Sequence, residues 1–450
     1  MEKNKQHYYS EILKIGFPVV VGQLGTIILG FADTLMIGHH STQELAAAGF
    51  VNNIFNLILL FYLGFSYGLT PIVGKLYGME RKNKIGQKVR NSLLANMLIG
   101  LALVVLMVIL YFNLARIGQP EELLPMMKAY LLVLIVSIPF VGVFNTFKQL
   151  FDGVMRTQIP MWVMLAGNIV NILFNWLLIY GVGPFPELGL LGAGLSTMGS
   201  RVFMAIALFA ILLIKGKYRV YRDGLLHGHI NKVDFVEMNH LGFPVALQLG
   251  METAAFGLSA IMVGWLGTIP LAAHQVMITI SQLFYLVLAG LSSAVAIRIS
   301  LFAGQRDYKA VKTNAADGFR LVLLSSAITA VPVLFFRHYI GGLFTSDIEV
   351  QQAVAMLIIV LVIYQFGDGL QCVYANALRG IACVKPMVYI AFLAYFIISL
   401  PLGYFLAFPI GLHILGIWMA FPIGLTIAGF LYWRRFNKEL VKLQDSAPSL

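Results

Sequence analysis

IGFPVVVGQLGTIILGFADTLMIGHH, Ile15 to His40, is apolar for longer than a soluble helix requires, yet it holds an acid, Asp33, well inside it. Either the run belongs to a soluble protein's core or the carboxylate has a task. The rest of the chain decides between these. At roughly 150 residues per domain, 450 residues would suggest about three soluble domains. However, 59% of the residues are hydrophobic and only 11% charged, and the mean hydropathy is +0.84. That is too little polar side chain to cover globular surfaces, whereas lipid accepts the excess. The apolar runs lie at about 12–38, 45–74, 92–116, 127–150, 160–181, 192–215, 240–265, 271–303, 317–341, 352–375, 386–408 and 413–434. Each reaches the roughly 20 residues that a helix needs to cross hydrocarbon, and none alternates like a barrel strand. The fold class is an all-α integral membrane protein with twelve transmembrane helices.

The leading MEKNKQHYYSEILK is polar and basic, and no small-residue cleavage site follows the first run, so that helix is expected to stay. Net charge is +11, and its placement argues for topology rather than nucleic acid. With a cytoplasmic N-terminus, only Arg116, Lys128 and Arg337 of the 31 Lys and Arg fall in outer segments, and Arg201 lies within a span. The others sit in or beside inner segments such as GKLYGMERKNKIGQKVR and KGKYRVYR, which places both termini in the cytoplasm and meets anionic lipid there. No aromatic-interleaved basic stripe points to nucleic acid. Cys372 and Cys383 lack metal spacing and read as reduced thiols.

The chain repeats at an offset of about 226 residues. Gly16-Phe17-Pro18-Val19 meets Gly242-Phe243-Pro244-Val245, Leu45-Ala46-Ala47 meets Leu271-Ala272-Ala273, and Gly64, Ser66 and Gly78 meet Gly290, Ser292 and Gly304. Six helices is an even number, so the two halves run parallel, as two pseudo-symmetric six-helix bundles around a central cleft. That is the plan of an alternating-access carrier with sites near the midplane. The expected organisation is an N-terminal lobe over 1–214, a cytoplasmic linker over 215–234 and a C-terminal lobe over 235–450. Such a carrier is expected to work as a monomer.

Three acids lie deep in the spans: Asp33 in the first, Glu252 in the seventh and Asp368 in the tenth. An Asp at a helix centre costs about 2.5–3.5 kcal/mol on insertion scales, so each must face a polar cavity, be neutralised by a proton, or hold a cation. At the repeat offset they align with Ser259, Thr26 and Gly142, so no acid is copied. Gln248 stands one turn from Glu252 and Tyr364 one turn from Asp368, with Gln371 a turn beyond, and Asn168, Asn171 and Asn175 form a stripe on the fifth helix. Such faces suit a hydrated cavity wall or an oxygen-rich cation site, because carboxylate, amide and hydroxyl oxygens are hard ligands. Gln275 and Gln282 are expected in the cavity by residue type alone, and His274 reads as a helix-packing residue. Arg201 has no explanation from its neighbours in sequence.

The elements GFP and FADTLMIG in the first helix, LAAAG opening the second, then GFPVALQLGMETAAF, LAAHQ and GDGLQCVYANALRG, taken in this order, resemble the multidrug and toxic compound extrusion (MATE) family over nearly the whole chain, in its NorM-type branch. The resemblance implies a coupling-cation site of Glu252, Asp368 and Tyr364, with Na⁺ on the two acids. It also implies a first-helix acid, Asp33, that binds substrate or ion, flanked by Asn171, Asn175 and Thr197. Some members carry Asp where this chain has Asn175, which would weaken Na⁺ binding there or favour protons.

The expectation is therefore a multidrug efflux antiporter of the bacterial cytoplasmic (inner) membrane, exporting small organic cations for inward Na⁺ or H⁺, with no cofactor. A lipid or lipid-linked sugar flippase is the alternative, but that cargo calls for a cationic cavity. An aspartyl hydrolase would need two carboxylates sharing a proton. No nucleophile elbow, HExxH site or glycine-rich phosphate loop supports another enzyme chemistry.

Overall fold

The computed structural model describes residues 2–118 and 120–445, with side chains from Tyr8 onward, and is nearly all-helical. Among the described residues twelve helices are long and apolar enough to span: Tyr8–His40, Thr42–Gly78, Lys82–Ile117, Glu121–Gly153, Gln158–Ile179, Leu190–Ile214, Lys232–Gly264, Thr268–Gly304, Tyr308–Phe335, Ile348–Gly380, Lys385–Ala407 and His413–Asp445. These are the twelve expected spans. Several begin earlier than their apolar runs, because polar N-terminal ends such as Lys82–Asn91 are helical too. Between the sixth and seventh spans a short helix, Arg219–His227, turns its Tyr221 and Leu225 inward. The chain is thus an all-α, multi-pass membrane protein.

Two compact units form. One, here the N-terminal unit, is Val21–Ala246; the other, the C-terminal unit, joins the residues up to Val20 with those from Leu247 onward. The packing units therefore differ from the halves of the duplication in one respect. The N-terminal end of the first helix packs with the second half, and that of the seventh with the first. Both helices change unit two residues after the proline of their GFP motif, Pro18 and Pro244.

Small residues make that exchange possible. In the N-terminal unit a Cβ on Gly242 would lie 2.7 Å from the Phe65 carbonyl oxygen, and one on Gly68 would lie 2.7 Å from the Gly242 nitrogen. In the C-terminal unit Gly16 lies against Leu291 and Ala294, while a Cβ on Gly290 would come 2.3 Å from Val20. Lipid supplies no hydrophobic drive between helices, so this close backbone approach is what holds them.

Charged clasps reinforce the exchanged ends. Glu237 of the seventh helix pairs with Lys88 of the third, and Lys88 Nζ also donates to Asp234 at 2.7 Å. The repeat-equivalent acid, Glu11, faces Arg298 at 3.6 Å in the other unit, and Arg298 Nε donates to Asn314, the equivalent of Lys88. Asn91 holds the backbone of His229 and Asn231, while its equivalent Asp317 accepts from Tyr9 and Arg320. Lys88→Met leaves the nearly buried Asp234 with only the Gln87 amide. Stability in detergent is expected to drop by about 1–3 kcal/mol, read as a lower midpoint in thermal unfolding.

Candidate functional site

The C-terminal unit gathers two carboxylates on two helices. On the seventh, Gln248 and Glu252 share one face, and Gln248 Nε2 donates to Glu252 Oε2 at 3.0 Å. On the tenth, Tyr364, Asp368 and Cys372 follow at one-turn spacing. Gln371 Nε2 crosses to the same Glu252 oxygen at 3.3 Å. Asp368 is 2% exposed and accepts a weak bond from the Cys372 thiol at 3.5 Å. The acids lie within Coulomb range of each other, and among the described residues the side chains that hydrogen-bond to them are amides and a thiol, without a base. The Tyr395 hydroxyl, from the eleventh helix, is buried within interaction range of the Glu252 carboxylate, and among the described residues Gln371 Oε1 is buried without a hydrogen-bond partner.

Two carboxylates with an amide oxygen and a hydroxyl make a hard, oxygen-only donor set of net charge −2, suited to a proton or an alkali cation. Among the described residues no group of three or more His, Cys, Asp and Glu could hold a metal ion, so the set does not resemble a zinc site.

An aromatic wall backs this cluster. The Tyr364 ring lies 6.4 Å from both Trp418 and Phe421, and Phe421 stacks on Phe256 at 4.8 Å. Trp418 Nε1 donates to His274 Nδ1 at 3.1 Å. His274 thereby joins the eighth helix to the twelfth, the packing role its sequence suggested.

The N-terminal unit builds a different cluster. Asn175 and Asn171, both fully buried, form a relay in which Asn175 Nδ2 donates to Asp33 and, at 2.9 Å, to Asn171 Oδ1. Asn171 Nδ2 then donates to Thr197 Oγ1 at 3.3 Å. The four residues expected together from the first, fifth and sixth helices are adjacent. One turn beyond Thr197, Arg201 donates to Ser137 Oγ at 2.6 Å and lies over the Phe55 ring at 5.1 Å. Its charge reaches Asp33 and Tyr130. Acid and base leave this cluster near zero net charge.

Gln248, one turn from Glu252 on the same helix, is bonded to it. Gln275 and Gln282 are exposed on the eighth helix. Sequence reasoning missed Tyr395 and Trp418. A signal for Tyr395 exists: Pro401 lies six residues on, and the helix widens into a π stretch, Leu393–Ser399, where Ser399 Oγ donates to the Ala394 carbonyl at 2.8 Å.

The uncopied acids also have a physical account. At the equivalents of Glu252 and Asp33, Thr26 and Ser259 bond back to their own helices through Gly22 and Ala255. At the equivalent of Asp368, Gly142 leaves room for Tyr62, whose hydroxyl would be 1.8 Å from a Cβ there and which donates to the Asn96 carbonyl. Gly142→Ala is expected to lower thermal stability by about 1–3 kcal/mol through overpacking. Tyr62→Leu, the residue found at equivalent position 288, is expected to recover part of that loss in the double variant.

Comparison with known proteins agrees with this architecture. The MatE family model matches twice, over residues 18–177 and 244–405, once per half of the duplication. The chain is 30% identical over 402 residues to the multidrug resistance protein NorM of Photobacterium profundum, covering 88% of this chain and 87% of that protein. It is 28% identical over 397 residues to a probable multidrug resistance protein NorM of Photorhabdus laumondii, with the same coverage. A solved variant of the Vibrio cholerae MATE transporter VcmN superposes with a TM-score of 0.87 over 98% of both chains at 18% identity. Matched by the family model in both halves and by these relatives over most of its length, the chain belongs to the MatE (multidrug and toxic compound extrusion) family of membrane transporters, in its NorM-type branch, and is not an enzyme.

Proposed function

We propose that this protein is a secondary active antiporter of the bacterial cytoplasmic membrane, with both termini in the cytoplasm, that exports organic cations in exchange for inward Na⁺ or H⁺. The observation that carries the reading is the pair Glu252 and Asp368, within Coulomb range of each other, with Glu252 bonded by two amides and the buried Asp368 by a thiol rather than by a base. Permanent partners would make such a pair scaffolding. Here its negative charge is balanced only when a cation arrives, so occupancy can alternate. The relatives named for multidrug resistance support an efflux role for cargo of varied shape.

Coupling requires that the ion and the cargo favour different states, because a ligand moves an equilibrium only by its differential affinity for them. Asp33 with its amide relay receives the cargo's charge in the N-terminal unit, and Glu252, Asp368 and Tyr364 receive the coupling ion in the C-terminal unit. No cofactor enters, and one chain carries both clusters.

The test is ethidium efflux from proteoliposomes under a Na⁺ gradient or a proton gradient, each imposed alone. One of the two is expected to drive efflux well above leak. Equal, leak-level rates under both would refute antiport.

A further inference from the structure

Arg201 is a base inside a span of a protein whose other buried charges are mainly acids, and it needs a reason. It sits on the sixth helix, one turn from the hydroxyl that ends the Asp33–Asn175–Asn171–Thr197 relay. The groups around it come from four further helices: Asp33 from the first, Phe55 and Asn52 from the second, Tyr130 and Ser137 from the fourth, and the two amides from the fifth.

A structural ion pair would place the guanidinium fork on the carboxylate, with two short parallel bonds. This one does not. Among the described residues Arg201 makes no ion pair with Asp33; its Nη1 is taken by Ser137 at 2.6 Å and its face rests on Phe55 at 5.1 Å. The Asp33 carboxylate instead accepts from the neutral amide of Asn175. The guanidinium is therefore held off the acid, near enough for its charge to be felt, by a hydroxyl and a ring that also suit a cation.

We propose that Arg201 is a specificity-determining residue of the N-terminal cluster, a fixed positive charge that weakens the hold of Asp33 on monovalent organic cations. A monocation that docks at Asp33 must share the field of that acid with Arg201, and unit charges in a partly buried setting interact by a few kcal/mol at close range. In the C-terminal cluster no base among the described residues bonds to Glu252 or Asp368, and the pair keeps its charge. The asymmetry assigns tight cation binding to Glu252 and Asp368 and leaves Asp33 with a weak, releasable grip on cargo. This inference rests on the reading above that cargo meets Asp33.

The experiment is equilibrium binding of radiolabelled tetraphenylphosphonium to purified protein: wild type, Arg201→Met, Arg201→Lys, Asp33→Asn and the Arg201→Met/Asp33→Asn double variant. Arg201→Met is expected to tighten binding about fivefold or more, in the range of ordinary coupling between neighbouring sites. Arg201→Lys, which keeps the charge, is expected to stay near wild type. The gain from Arg201→Met should vanish when Asp33 is already Asn. An unchanged affinity in Arg201→Met, or the same change with and without Asp33, would overturn the proposal and leave Arg201 a packing residue. Should Arg201→Met fail to fold, Arg201→Gln takes its place in the same cycle. Absence of tetraphenylphosphonium binding in every form, wild type included, would instead sink the cargo reading on which the inference stands.

Discussion

Replacing Glu252 with Gln, or Asp368 with Asn, is expected to lower gradient-driven efflux at least tenfold while the protein stays folded. A Gln at 252 can still accept from the Gln248 and Gln371 amides through its side-chain oxygen, so the hydrogen bonds at 3.0 and 3.3 Å survive in kind. What disappears is one of the two charges on which the proposed cation site rests. A neutral amide neither takes up a proton near neutral pH nor balances Na⁺, and losing an ionic ligand from an oxygen-only set costs more than the roughly 1.4 kcal/mol that equals a tenfold change in affinity. The check is ethidium efflux from proteoliposomes, with thermal unfolding as the control for folding. Because the two acids act on the same ion, the double variant is expected to be little worse than either single one. Full response to the gradient in both single variants would remove the assignment of this cluster.

Asp33→Asn is expected to weaken tetraphenylphosphonium binding by more than tenfold. The acid is the charge on which the cargo docks in this cluster, and with a neutral amide in its place no opposite charge remains there to hold a cation. Equilibrium binding reads the effect, and binding of the coupling ion to the C-terminal unit is expected to be unchanged. That second readout separates loss of the cargo site from general damage. A variant that binds tetraphenylphosphonium as wild type does would show that Asp33 is not where cargo charge is met.

How much of this was legible in the sequence follows from which contacts are local. The spans were legible because lipid demands about 20 apolar residues in a row, a local requirement. Glu252 with Gln248, and Asp368 with Tyr364, were readable as pairs because one helical turn sets both spacings. The Asn171 and Asn175 stripe was readable for the same reason, whereas its bond to Asp33 spans 142 residues of sequence and entered only through family resemblance. Arg201 was not legible: its partners Ser137 and Phe55 come from two other helices. Nor was the exchange of the N-terminal ends of the first and seventh helices. The repeat shows that Gly16 matches Gly242, but only packing shows that each lies against the opposite half of the duplication.

The central claim is that cargo and coupling ion take opposite sides of one equilibrium, with the ion on Glu252 and Asp368. The most direct measurement is release of protons or of ²²Na⁺ from purified protein on addition of saturating tetraphenylphosphonium. The account predicts ion release in the wild type and none above background in Glu252→Gln or Asp368→Asn. Cargo binding with no release of either ion from the wild type, or undiminished release from both variants, would contradict it.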